Sequence, residues 1–157
     1  MASPEHGASS GERVAEEELS LRLLRDARSI AVVARSPRLD RPWHRIASYL
    51  VSAGYEVQFV NPQLDEALDR RCYDRVQDLP EPVDIVDVFR RGPETPLVAE
   101  DAVAAGASAL WLQLGIVSAD AEAIARAGGL AMVMDRCTLI EHQRLRAMGV
   151  EAPRPRG

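Results

Sequence analysis

Short apolar runs alternate along this chain with segments whose apolar residues recur every three or four positions. The run 29–34 (S-I-A-V-V-A) is continuous and rich in β-branched residues, the pattern of a strand buried on both faces. Similar runs stand at 56–60 (E-V-Q-F-V), 83–89 (V-D-I-V-D-V-F), 108–112 (S-A-L-W-L) and 130–134 (L-A-M-V-M). Helical patterns lie around them. Residues 16–28 carry Leu19, Leu23 and Leu24, and 42–53 place Trp43, Ile46, Ala47 and Leu50 on one face with Gly54 as the stop. Further helices are predicted at about 93–105, at 119–127 before Gly128-Gly129, and at about 137–148. Five such strands with helices between them predict an α/β fold, a Rossmann-like five-stranded parallel sheet flanked by helices, with right-handed crossovers. The polar stretch 63–78 reads as a loop with at most a helical turn. Residues 1–14 read as a disordered tail, 15–148 as one domain and 149–157 as a loose C-terminal tail.

Composition narrows the setting. A length of 157 residues supports one domain with its own core, and 46% hydrophobic with 27% charged residues suits a soluble globular protein. No apolar run reaches the ~18 residues of a membrane span, and the acidic, polar N-terminus shows no secretory signal. Cys72 and Cys137 are too few for a disulfide framework or a zinc cage, so the expected compartment is the cytoplasm. A net charge of −5 argues against nucleic-acid binding driven by charge. Every basic residue is an arginine, which excludes chemistry that needs a lysine, Schiff bases and P-loop lysines included.

In a parallel sheet of this kind the ligand lies beyond the carboxyl ends of the strands, here near 34–36, 61–62, 88–91, 113–116 and 134–137. A strand–loop–helix unit seats phosphate on the helix N-terminus, where free N–H groups and the helix dipole favour negative charge. The loop 35–41 (R-S-P-R-L-D-R) has none of the glycines of G-x-G-x-x-G, and Asn61-Pro62 follows the second strand where an acidic residue would bind ribose hydroxyls. Both marks of a nicotinamide site are missing. The phosphate ligand is expected to be something other than NAD.

Five segments together resemble the stand-alone CoA-binding protein family: I-A-V-V-A-R-S-P-R-L-D-R-P-W-H-R (30–45), V-N-P (60–62), E-P-V-D-I-V-D-V-F-R-R (81–91), L-W-L-Q-L-G-I-V (110–117) and V-M-D-R-C-T-L-I-E-H (133–142). That family has the CoA-binding Rossmann domain also found in the α subunit of succinyl-CoA synthetase. The resemblance spans roughly residues 25–146. The chain departs from the family's V-G-x-S after the first strand, with Ala34 for glycine and Arg35 where a small or apolar residue is common.

The resemblance implies coenzyme A as the cofactor, with its pyrophosphate and 3′-phosphate. Around Ala34, Arg35, Ser36 and Pro37, the Ser36 hydroxyl and the N–H groups opening the next helix are suited to the pyrophosphate. Arg38, Arg41 and Arg45 either pair phosphate, as guanidinium does in bidentate fashion, or are solvated surface residues; Arg35 offers one more cation. Asp40 reads as the helix cap with Pro42 in the first turn. Asn61-Pro62 either bonds the adenosine or merely turns the chain. Val88 and Phe89 are placed at the adenine slot and Arg90 or Arg91 at a phosphate. Asp84 and Asp87 are expected to be structural, one of them paired with Arg90 or Arg136. Gln113, Gly115 and Ile116 end the fourth strand, Gly115 allowing close approach. Cys137, beside Arg136 and at a helix N-terminus, is either a reactive thiol, where both neighbours favour thiolate, or a small buried apolar residue. Cys72 has no specific role. His6 falls in the tail, His44 beside the loop and His142 inside the last helix. No Ser-His-Asp set, catalytic carboxylate pair or metal-ligand spacing emerges. The reading is therefore a small soluble protein that binds CoA or an acyl-CoA at the strand ends without catalysis of its own. The alternatives are a thiol-redox module forming a mixed disulfide with CoA at Cys137, and a subunit of a CoA-ligase-like enzyme.

Overall fold

The computed structural model describes residues 9–154; residues 1–8, with His6, and 155–157 lie outside it. Helix α1 (Ser10–Asp26) opens on Ser9, whose Oγ accepts the Glu12 N–H at 3.2 Å. Residues 10–14, expected in the loose tail, are therefore helical, and the S-x-x-E pattern of Ser9 and Glu12 was the local signal for that start. There follow β1 (Ser29–Val33), α2 (Pro42–Ala53), β2 (Glu56–Val60), β3 (Glu66–Ala67), β4 (Arg70–Tyr73), β5 (Ile85–Val88), α3 (Thr95–Ala104), β6 (Ala109–Leu112), α4 (Ala119–Ala127), β7 (Ala131–Val133) and α5 (Thr138–Ala147).

The sheet has seven strands rather than five, in the order β3-β4-β2-β1-β5-β6-β7. The predicted strands form its parallel body, with Ile30 level with Val57 on one side and with Ile85 on the other. The two added strands come from the stretch read as a loop. β4 pairs parallel to β2, and β3 folds back antiparallel on β4. Leu68 and Asp69 turn that hairpin with φ of +47° and +61°. Such a turn ordinarily calls for Asn-Gly or Asp-Gly, so Leu-Asp gave no hairpin signal.

Alternation along the strands divides the core between two faces. Ile30, Val32, Val57, Phe59 and Trp111 pack against Leu24 of α1, Ile46 and Leu50 of α2 and Leu145 of α5. Ala31, Val33, Val86, Leu110 and Leu112 face Val98, Ala99 and Ala102 of α3 and Ala121 and Ala125 of α4. The result is three layers, helix on sheet on helix. The C-terminal segment is anchored as far as Ala152: that residue is buried, and the fully buried His142 donates from Nε2 to its carbonyl at 2.7 Å. His142 Nδ1 then accepts from Tyr49 Oη at 2.8 Å, which makes this histidine a structural link rather than a site residue.

The two carboxylates of strand β5 and its approach are structural, but among the described residues neither pairs with an arginine. Asp84 Oδ2 accepts from the Arg28 and Ser29 N–H groups at 2.8 and 3.1 Å, at the amino end of β1. Asp87 is fully buried and meets Thr138 Oγ1 at 2.9 Å. Arg90 donates instead to Ala34 O and Arg136 to Arg13 O. Burial pushes the Asp87 pKa well above the usual carboxylate range, and the Thr138 contact opposes it only in part.

Two outcomes follow. A Cβ at Gly128 would lie 2.5 Å from Val103 Cγ2 and 2.6 Å from Cγ1, where α4 meets α3. Gly128→Ala is expected to lower stability by about 1–3 kcal/mol in chemical denaturation, and adding Val103→Ala to recover most of that loss; strictly additive losses would show that the two positions do not meet. For Asp87 burial makes the native state keep its proton to a higher pH than the unfolded chain does, so its contribution to stability falls as pH rises through and above the ordinary carboxylate pKa. Asp87→Asn, neutral and nearly isosteric, is expected to be more stable than the parent at pH 8, with the gap closing toward pH 4; a gap independent of pH would show that Asp87 is ionised in the fold.

Candidate functional site

β1 lies between β2 and β5, so the chain leaves it in one direction and later returns on its other side. At this reversal the loops after neighbouring strands diverge and leave a crevice at the carboxyl ends. A cavity of about 440 Å³ occupies that place. Ala34, Arg35 and Ser36 reach it from the end of β1, Phe89 from β5, Gln113 from β6. The first turns of α2 supply Arg41, Pro42, Trp43, Arg45 and Ile46, and the start of α5 supplies Cys137, Leu139 and Ile140. Leu114 and Ile116 complete the wall from the β6–α4 loop. Most of this lining is apolar, with arginines at the α2 side.

The arginines divide into paired and free. Arg35 Nε meets Glu94 Oε1 at 2.5 Å, and Arg38 Nη2 meets Asp40 Oδ2 at 2.6 Å. Asp40 is thereby engaged by Arg38, and it does not cap α2. Arg41 occupies the cap position and makes no side-chain capping bond, with Pro42 in the first turn. The leading N–H groups of α2 consequently keep their pull on an anion. Among the described residues Arg41 and Arg45 have no acidic partner, and both line the cavity. Ser36 Oγ accepts the Arg38 N–H at 3.2 Å and keeps its own proton to donate.

Several residues expected at the ligand stand outside the cavity lining and serve the frame. Asn61 is buried; its Nδ2 donates to Ser36 O at 2.9 Å and its Oδ1 accepts from Gln63 N–H at 3.0 Å, so its amide fastens the β1 loop to the end of β2. Pro62, Pro37 and Arg38 are exposed beyond the lining. Val88 is fully buried in the core on the α3–α4 face. Arg90 Nη2 donates to Ala34 O at 3.2 Å, and burial, with Arg35 close by, lowers its pKa. Arg91 is solvent-exposed and 3.7 Å from Glu94. Gly115 adopts φ of +84° in the turn after β6, and its N–H donates to Asp135 Oδ1 at 2.7 Å. Arg136 contacts Glu141 at 3.4 Å and donates to Arg13 O at 3.2 Å, which puts it beside a second hollow of about 270 Å³. Glu141 is buried there, and burial raises its pKa against the pull of Arg144 and Arg136.

Of the apolar walls, sequence singled out Ala34, Phe89 and Ile116 but not Trp43, Ile46, Leu114, Leu139 or Ile140. Trp43 and Ile46 read as the inward face of a helix, which they are, and the same face also closes the cavity. Leu139 and Ile140 stand two and three residues after Cys137, so the first turn of α5 was the available signal. Cys137 is 8% exposed and lies between the two hollows, lining both.

Comparison with known proteins gives the family and the fold. The family model described as CoA binding domain matches residues 28–143. Uncharacterized protein YneT of Bacillus subtilis (strain 168) is 37% identical over 120 residues, 76% of this chain and 89% of that protein. A hypothetical protein from Pyrococcus horikoshii OT3 has the same fold with a TM-score of 0.79 and 32% identity, over 93% of this chain and 98% of that one. The dinucleotide forming acetyl-coenzyme A synthetase 1 of Ca. Korarchaeum cryptofilum is similar at TM-score 0.62 and 25% identity, over 71% of this chain but only 27% of the enzyme. The matched span takes in every strand of the sheet and the start of α5, and by it the chain belongs to the CoA-binding domain family.

Proposed function

We propose that this protein binds coenzyme A or an acyl-CoA in the cavity at the carboxyl ends of β1, β5 and β6, without catalysis of its own. The observation that carries the reading is the pairing of an apolar slot with cations that have no acidic partner among the described residues: Arg41 and Arg45 flank the open N-terminus of α2, while Trp43, Ile46, Phe89, Leu139 and Ile140 wall the interior. A pyrophosphate suits the first group of contacts, because guanidinium and helix N–H groups both favour anionic oxygen. A long, weakly polar pantetheine arm suits the second. Arg35 and Arg90 support the site indirectly, one tied to Glu94 and the other holding Ala34 O. The loop after β1 is thus braced from β2 by Asn61 and from beyond β5 by Arg90.

A second reading rests on Cys137 lining this same cavity. Its thiolate attacks one sulfur of CoA disulfide, one CoA leaves as thiolate, and a protein–CoA mixed disulfide remains. Mass spectrometry after incubation with CoA disulfide is expected to show one CoA adduct, absent in Cys137→Ala; an adduct that persists in that variant removes this reading.

Calorimetry with CoA, acetyl-CoA, NAD and ATP tests the main proposal. CoA or acetyl-CoA is expected to bind most tightly, and Arg41→Ala and Arg45→Ala each to weaken binding by about 1–3 kcal/mol, the range for hydrogen bonds to charged groups. Tighter binding of NAD than of CoA, or full affinity in both variants, would overturn it.

A further inference from the structure

The cavity has one polar side chain on its inner wall whose orientation the fold dictates. Gln113 follows β6 and is 4% exposed. Its Oε1 accepts from the Thr138 backbone N–H and from Thr138 Oγ1, both at 3.0 Å. A backbone N–H can only donate, so the atom facing it must be the amide oxygen and the NH2 group must point away. Nε2 has no hydrogen-bond partner among the described residues. Among the described residues the sealed side-chain atoms without a partner are Trp43 Nε1 and Asp87 Oδ1, and Nε2 is not one of them. Nε2 therefore reaches open space, and the open space that Gln113 lines is the 440 Å³ cavity.

Thr138 is held in turn. Its hydroxyl carries one proton and stands between Asp87 Oδ2 at 2.9 Å and Gln113 Oε1 at 3.0 Å. Two oxygen acceptors cannot share that single proton. With Asp87 neutral, its own O–H donates to Thr138 Oγ1, the threonine proton goes to Gln113, and each contact has one hydrogen. The burial of Asp87 favours that neutral form. The chain of contacts from β5 through α5 to the end of β6 leaves the Gln113 amide little freedom to flip.

We infer that Gln113 is a ligand-binding residue that donates from Nε2 to a carbonyl oxygen of the pantetheine–thioester arm, with Thr138 as the residue that positions it. The inference rests on the reading of the cavity as the CoA site. Position selects the arm over the phosphates: β6 is two strands from β1, roughly 10 Å at ~4.8 Å per strand, away from the free arginines at α2. Chemistry agrees, because a neutral amide donor among Phe89, Leu114 and Leu139 suits a neutral acceptor better than an anion. The acceptor is a carbonyl, from either a pantetheine amide or an acyl thioester.

Calorimetry distinguishes these with three probes: CoA, acetyl-CoA, and S-ethyl-CoA, a thioether in which a methylene replaces the thioester carbonyl. Gln113→Glu keeps an oxygen for Thr138 N–H but offers no donor, and Gln113→Met serves as the uncharged counterpart if the first variant does not fold. Loss of about tenfold in affinity for all three probes, the equivalent of ~1.4 kcal/mol, assigns the amide carbonyl. Loss only of the preference for acetyl-CoA over S-ethyl-CoA assigns the thioester carbonyl. Thr138→Ser, which keeps the hydroxyl, is expected to bind like the parent, and Thr138→Val to show part of the Gln113 loss; equal behaviour of the two removes Thr138 as the positioning residue. Unchanged binding of all three probes by a folded Gln113 variant overturns the inference while leaving the CoA site standing. A parent protein that binds none of the three overturns the site itself.

Discussion

Double burial of the central strands is the constraint on which the rest depends. β1, β5 and β6 carry apolar side chains on both faces, toward α1, α2 and α5 on one side and α3 and α4 on the other. A strand enclosed in this way cannot slip by one residue without presenting its side chains to the wrong layer. The register between Ile30, Ile85 and Ala109 therefore fixes where each strand ends. Those ends place Ala34, Phe89 and Gln113 around one cavity, with α2 and α5 as its banks.

Within that frame the arginines separate by what surrounds them rather than by their spacing. Arg35, Arg38, Arg91 and Arg136 each have a nearby carboxylate, and Arg90 is spent on a backbone carbonyl. Arg41 and Arg45 line the cavity at the open end of a helix. The cavity is consequently polarised, cationic at the α2 bank and neutral at the Gln113 wall. A ligand with an anionic end and a weakly polar arm matches both ends at once.

The sequence revealed the parallel body of the sheet because five apolar runs, three intervening helices and one helix at either end all obey their own periods. It did not reveal β3 and β4, since Leu68 and Asp69 adopt left-handed conformations that neither residue advertises. Nine of the expected site residues, from Ala34 to Cys137, line the cavity, because proximity to a strand end is itself a local property. Asn61, Val88 and Arg90 also stand at strand ends but contribute to the frame. Which way a side chain turns there depends on partners 25 to 56 residues away along the chain. Trp43 and Leu139 escaped notice for the opposite reason: an apolar side chain looks the same in a sequence whether it fills a core or walls a pocket.

By itself, then, the chain determined its layers, its parallel strands and the strand ends that rim the cavity, because periodicity and turn chemistry are written in neighbouring residues. Tertiary structure alone decided which arginines stay free, that Asp87 meets Thr138 instead of a cation, and that the Gln113 amide turns its nitrogen to the cavity. Those choices depend on charge pairing, desolvation and proton counting between residues brought together only when the sheet and helices close on one another.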